Sequence, residues 1–171
     1  MERAGADPLL EAFEKYRLAR LTLLNELNCP HSNRDSLAEF SERLVAELVN
    51  GHLTESRVQP DYDIIGPAGE KIQVKYLANP GNKWINEHEI KFSPNMDFYA
   101  LVFFENLQLV AILMFSPTGI EAVCRTLKKR HGNQHNSLQL TQRNFRQLLS
   151  DTENFQKHGV RVLYRQTATN L

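Results

Sequence analysis

Two apolar runs at 98–104 and 107–115, parted by Glu105-Asn106, constrain what this chain can fold into more than any other feature. Each has the length of a strand, and neither alternates with polar residues as a half-exposed strand does. Both faces of each therefore need apolar cover, the pattern of central strands in a sheet with further layers on either side. The rest of the 171 residues must supply those layers. At 42% hydrophobic and 23% charged, the chain can do so as one folded domain without disulfide or metal staples.

Helices are legible before and after these runs. Asp7-Pro8 reads as a helix start, the aspartate suited to capping and the proline preset for the first turn. Leu9, Phe13, Tyr16, Leu23, Leu24 and Leu27 then recur at helical spacing as far as about Asn28. After a turn-rich segment at 29–35, Ser36 with Glu39 has the form of a capping box. Leu37, Phe40, Leu44, Val45 and Leu48 form the stripe of a second helix, which Asn50-Gly51 ends. Beyond the apolar runs, Thr118 with Glu121 reads as another capping box, opening a helix through Lys128-Lys129-Arg130 that His131-Gly132 stops. A polar stretch at 133–137 leads to a last helix from Thr141 through Leu149, and 160–164 reads as a final strand.

From Val58 the period shortens. Residues 62–65 and 71–76 read as the strands of a hairpin turning at Gly66-Pro67-Ala68-Gly69, and 89–92 as a short strand. In the second hairpin strand Ile72, Val74 and Tyr76 share one face, and Lys71, Gln73 and Lys75 the other. The expected class is α/β, a mixed β-sheet flanked by α-helices in a single domain over 1–171. Its parts are an N-terminal helix extension (1–35), a core (36–117) and a C-terminal helical part (118–171).

That hairpin can carry chemistry. Asp63, near the end of one strand, and Gln73 and Lys75, on one face of the next, can converge on a point while Ile72 and Val74 anchor the strand. Oxygen donors at such a point suit magnesium, and a lysine beside them can orient a nucleophilic water and oppose charge developing on a phosphate. A glutamate from the second helix, Glu42 or Glu47, would complete the set.

Asp63 followed ten positions later by Gln73-Val74-Lys75 resembles the PD-(D/E)xK signature of the restriction-endonuclease-like superfamily, in its QxK variant. The helix at 41–49 is similar to that fold's first core helix, which often contributes a glutamate, and the resemblance covers about 36 to 117. It implies a restriction-endonuclease-like sheet with Asp63, Gln73 and Glu42 as ligands of Mg2+, for which Mn2+ can substitute, and Lys75 as the catalytic cation. Asp63 is preferred to Asp61, which shares its face, because it stands nearer the turn; Glu42 is preferred to Glu47. Gln73 departs from the usual carboxylate, offering a carbonyl oxygen without charge. The implied activity is that of a type II restriction-like endonuclease cutting double-stranded DNA to a 5′-phosphate and a 3′-hydroxyl. Its setting would be a defence or restriction-modification system with a cognate methyltransferase. Cutting both strands favours a two-fold homodimer, joined through the first or the C-terminal helix.

Two other classes stay open: a catalytically silent nucleic-acid-binding module of the same fold, and a protein-interaction domain, which the zero net charge favours. Lys83 and Trp84 can enter a groove or stack on nucleic acid, or simply pack. Arg143 and Arg146 lie on one side of the last helix and can contact DNA, or serve as ordinary surface, as can Lys128-Lys129-Arg130. His131 and His135 have zinc-like spacing, but the intervening Gly132-Asn133 breaks the helix such a pair needs. His88, between Glu87 and Glu89, lacks the pattern of a histidine-metal nuclease. Cys29 and Cys124 form no motif and fit a reducing compartment. With no signal sequence or membrane span in view, the expected location is cytoplasmic.

Overall fold

The computed structural model describes residues 7–55, 61–81, 83–85, 87–128 and 137–166. Thirteen elements follow one another. They are α1 (Asp7–Glu26), α2 (Ser36–Leu48), β1 (His52–Leu53), β2 (Ile64–Ile65), β3 (Lys71–Asn79), β4 (His88–Lys91) and β5 (Phe98–Glu105). Then come β6 (Gln108–Phe115), α3 (Pro117–Thr126), β7 (Ser137–Leu140), α4 (Gln142–Ser150), α5 (Thr152–Gln156) and β8 (Arg161–Arg165). Six strands form one sheet in the order β1-β2-β3-β5-β6-β8, and β4 pairs with β7 in a second, two-stranded sheet. Only β3 and β5 run parallel; the other neighbours are antiparallel. This is the mixed sheet flanked by helices that the sequence predicts.

The two apolar runs are β5 and β6, at the centre, and every side chain from Tyr99 to Phe104 is buried. Each face has its own core. On one, Val45 and Ala46 of α2 meet Ile64, Ile72, Val74, Ala100, Val102, Phe104, Ile112 and Met114. On the other, Leu77, Leu101, Phe103, Leu113 and Phe115 meet Ile90 and Leu138 of the small sheet, Ile120 and Val123 of α3, Phe145 and Leu148 of α4, and Phe155. Two cores separated by one sheet explain why the central strands show no alternation.

Local chemistry sets the boundaries. The hairpin turn closes with Gly66 N–H donating to the Glu70 carbonyl at 2.8 Å, and Gly69, at φ +86°, takes the left-handed conformation that only glycine adopts freely. Thr141 caps α4 through a reciprocal box with Asn144. The two capping boxes expected from the sequence do not form. Asp35, not Ser36, caps α2, accepting from the N–H groups of Leu37 and Ala38, because Glu39 is drawn instead to Ser32, Arg34 and Arg43. At α3 the cap residue is Ser116 without a side-chain cap bond, and Glu121 pairs with Arg125 one turn on. That helix ends at Thr126, short of the expected stop; Lys129, Arg130, His131 and His135 lie outside the described residues. Strands β1 and β7 and helix α5 have no counterpart in the sequence-based expectation. Among the described residues no helix is long and apolar enough to cross a membrane.

Candidate functional site

Strand β2 is only two residues long and pairs with β3 at Lys71 and Ile72. From Val74 onward that edge of β3 loses its strand partner, leaving backbone groups that something else must satisfy. Asp63, just before β2, does so. Its N–H donates to the Ile72 carbonyl at 2.9 Å, and its Oδ2 accepts from the Val74 N–H at 2.8 Å and from Nε2 of Gln73. The divergence of the two strands thus fixes a carboxylate at the mouth of a cleft of about 200 Å³ lined by Arg34, Ser41, Glu42, Asp63, Lys75 and Tyr76, among others. Docking α2 against Val74 supplies Glu42 from the opposite wall.

Asp63, Gln73, Lys75 and Glu42 are therefore brought to one place. Lys75 is exposed, whereas Gln73 is buried behind Asp63. Of the paired alternatives, Glu47 is exposed beside a different groove with Arg43 and His52, and Asp61 accepts from Asn95 at 3.1 Å and is not part of the cleft wall. Pro60 lies outside the described residues.

The carboxylates in the cleft are internally engaged. Glu42, 5% exposed, accepts two bonds from the Arg34 guanidinium, at 2.6 and 3.0 Å. This bidentate pair raises the Arg34 pKa. Burial pushes the Asp63 carboxyl above the ordinary aspartate range. The Val74 N–H opposes that shift, the Glu42 charge adds to it, and Lys75 and Arg34 oppose it. Gln73 donates from Nε2 to Asp63 and to the Val74 carbonyl, so the nitrogen end of its amide faces the carboxylate.

Beside Gln73 in the parallel register stands Tyr99, whose hydroxyl lies 2.7 Å from Nε2 of His88. Burial, with the Asp63 charge acting the same way, holds the Tyr99 phenol above its usual range. Burial also lowers the His88 pKa; Lys75 acts in the same direction and Glu89 against it. The sequence picks out neither Arg34 nor Tyr99. Arg34 reaches eight positions into α2, beyond any i,i+4 pattern, and Tyr99 is one apolar-run residue among several.

The expected nucleic-acid contacts lie further along the sheet. Asn79 is four residues beyond Lys75 on β3, about 13 Å at strand rise. Its Oδ1 accepts from Ile85 N–H, tying down the loop that holds exposed Lys83 and half-buried Trp84. The Trp84 ring packs on Phe103 and Phe145, and its Nε1 donates to Glu105. Arg146 pairs with the same Glu105 at 3.1 Å, while exposed Arg143 lines a groove with Lys128 and Gln147. Among the described residues no group of three or more His, Cys, Asp or Glu side chains is placed to hold a metal. Comparison with known protein families finds no match, and comparison with curated proteins finds none either.

The raised Asp63 pKa carries a prediction. A carboxyl whose folded pKa exceeds its unfolded value contributes stability below the ordinary value of about 3.9, and loses it as pH rises through the folded value. At neutral pH ionised Asp63 therefore costs stability. Asp63→Asn, which keeps an acceptor for the Val74 N–H, is expected to gain on the order of 1 kcal/mol at pH 7. That gain should fade as pH falls through the raised folded value and be gone below about 4, as measured by thermal melts across pH; a loss at pH 7 would contradict it.

Proposed function

We propose that this protein is a magnesium-dependent DNA endonuclease with a restriction-endonuclease-like fold, cutting phosphodiesters at the cleft of Asp63, Glu42 and Lys75. The observation that carries this is the convergence of these side chains where β2 and β3 part, with Gln73 directly behind them.

The donor set suits a hard cation: carboxylate oxygens from Asp63 and Glu42, and the carbonyl oxygen of Gln73 once its amide presents that end. When bound, magnesium would supply charge neutralisation at the phosphate and an acidified water. The chain's own residues do the rest. Exposed Lys75 offers an ammonium to the anionic phosphate, and β3 holds that lysine and Gln73 at fixed spacing because Val74 between them is anchored in the core. One such cleft cuts one strand, so a two-fold homodimer would serve both strands of a duplex.

Two observations favour a second reading, a silent nucleic-acid-binding module: Arg34 already neutralises Glu42, and Gln73 turns its nitrogen toward Asp63. Incubating methylated and unmethylated duplex DNA with magnesium, manganese or chelator separates the two. Metal-dependent fragments ending in a 5′-phosphate support the nuclease. Tight, metal-independent binding that leaves DNA intact supports the module, and no binding even at low salt sinks both.

A further inference from the structure

Arg34 is pinned at its backbone, while its side chain reaches into the cleft. Its carbonyl accepts from Nη2 of Arg20 at 2.8 Å, its N–H donates to the Ser32 hydroxyl at 3.2 Å, and the next residue, Asp35, caps α2. The side chain beyond this anchor is 37% exposed, so a change of rotamer can move the guanidinium without moving the loop. At rest the guanidinium holds both oxygens of Glu42, and Asp63 is close enough that its charge and that of Arg34 act on each other. Its departure would not strand Glu39, which also accepts from the Ser32 hydroxyl at 2.9 Å.

Among the described residues two carboxylates, Asp63 and Glu42, and two cations, Arg34 and Lys75, line this cleft. A divalent cation between the carboxylates would offset both their charges and leave both cations for phosphate. It could not reach Glu42 with Arg34 in place, because the guanidinium covers both oxygens and like charges at contact distance repel strongly in a partly buried site. An arginine fork fits a phosphate as it fits a carboxylate, so a phosphate is the ligand that can draw Arg34 away. We propose that Arg34 is a phosphate-binding residue of this cleft, which exchanges Glu42 for a phosphate of bound nucleic acid and so frees Glu42 for the divalent cation. The assignment rests on the nuclease reading of the cleft and names the residue that couples its two ligands.

Calorimetric titration of the full chain with Ca2+ alone, and with a short DNA duplex in chelator, tests it on wild type and Arg34→Gln. Glutamine removes the charge but leaves Glu42 a neutral donor. The variant is expected to bind Ca2+ without DNA about tenfold more tightly than wild type, having lost the competitor. It should bind duplex in chelator about tenfold more weakly, with a salt slope lower by about one unit. The opposite signs matter, because a merely structural Arg34 would weaken both on removal. Arg34→Lys, which keeps the charge without the fork, should also bind Ca2+ more tightly than wild type, and decides the matter if the glutamine variant does not fold. Ca2+ affinity no higher than wild type in either variant, or duplex binding untouched by Arg34→Gln, would overturn the proposal. A wild type that shows this exchange yet leaves DNA intact in magnesium sinks the nuclease alone; one that cuts DNA while the variants bind Ca2+ no better sinks the exchange alone.

Discussion

Replacing Lys75 with alanine is expected to slow DNA cleavage by 100- to 1,000-fold, roughly the loss seen when one preorganised electrostatic donor leaves an active site. The fold should barely notice. Lys75 is exposed on β3, its strand neighbours Val74 and Leu77 carry the packing, and exposed substitutions away from caps and cores stay within about 0.5 kcal/mol. The melting temperature should therefore move by no more than about 2 °C. This separation gives the variant its value: the loss must be chemical. DNA affinity in chelator should fall only by the share of one phosphate contact, and the salt dependence of binding should drop by about one unit of slope. Lys83→Ala, an exposed lysine of the Trp84 loop, is the matched control. It should alter binding without altering the rate at saturating DNA. A Lys75→Ala protein cutting at the wild-type rate would remove this cleft from consideration.

What the sequence makes legible here is what short-range pattern determines. The convergence of Asp63 with Gln73 and Lys75 follows from a tight hairpin, because the turn at Gly66 and Gly69 sets the register that pairs Ile64 with Ile72 and so brings Asp63 beside Gln73. The central strands announce themselves through unbroken apolar runs, and α2 through its stripe. Features made by distant partners leave no such trace. Strand β7 is a four-residue segment, Ser137 to Leu140, that exists because β4 lies 49 positions earlier to pair with it. Strand β1, two residues long, is defined wholly by Ile64 and Ile65. The choice between Glu42 and Glu47 depends on which flank of α2 meets the open edge of β3, a matter of docking angle rather than periodicity. Capping fails for a related reason. The Ser36 and Glu39 spacing is right, but Glu39 is 2% exposed and sits among Ser32, Arg34 and Arg43, partners that outcompete a backbone amide.

The two-core arrangement makes adjacent residues of one strand report on different layers, and truncating Phe103 or Phe104 should expose this. Phe103 is 1% exposed and stacks on Phe145 with ring centres 4.1 Å apart, with Trp84 at 5.9 Å. Phe104, despite the register shift between the two, turns to the other face, against Phe40 and Tyr76. Each change to alanine removes a large buried ring from a close-packed layer, so each is expected to cost 3–5 kcal/mol and lower the melting temperature by roughly 10 °C. Their native-state spectra should differ. Trp84 is the only tryptophan in the chain, and it leans on Phe103. Phe103→Ala opens space at the indole and should shift its emission to the red before any unfolding; Phe104→Ala, with the sheet between it and Trp84, should leave the native emission unchanged while destabilising the protein as much. Equal red shifts in both variants would mean that the sheet does not separate two independent cores. In that case the anchoring of Val74, on which the positions of Gln73 and Lys75 depend, would need another explanation.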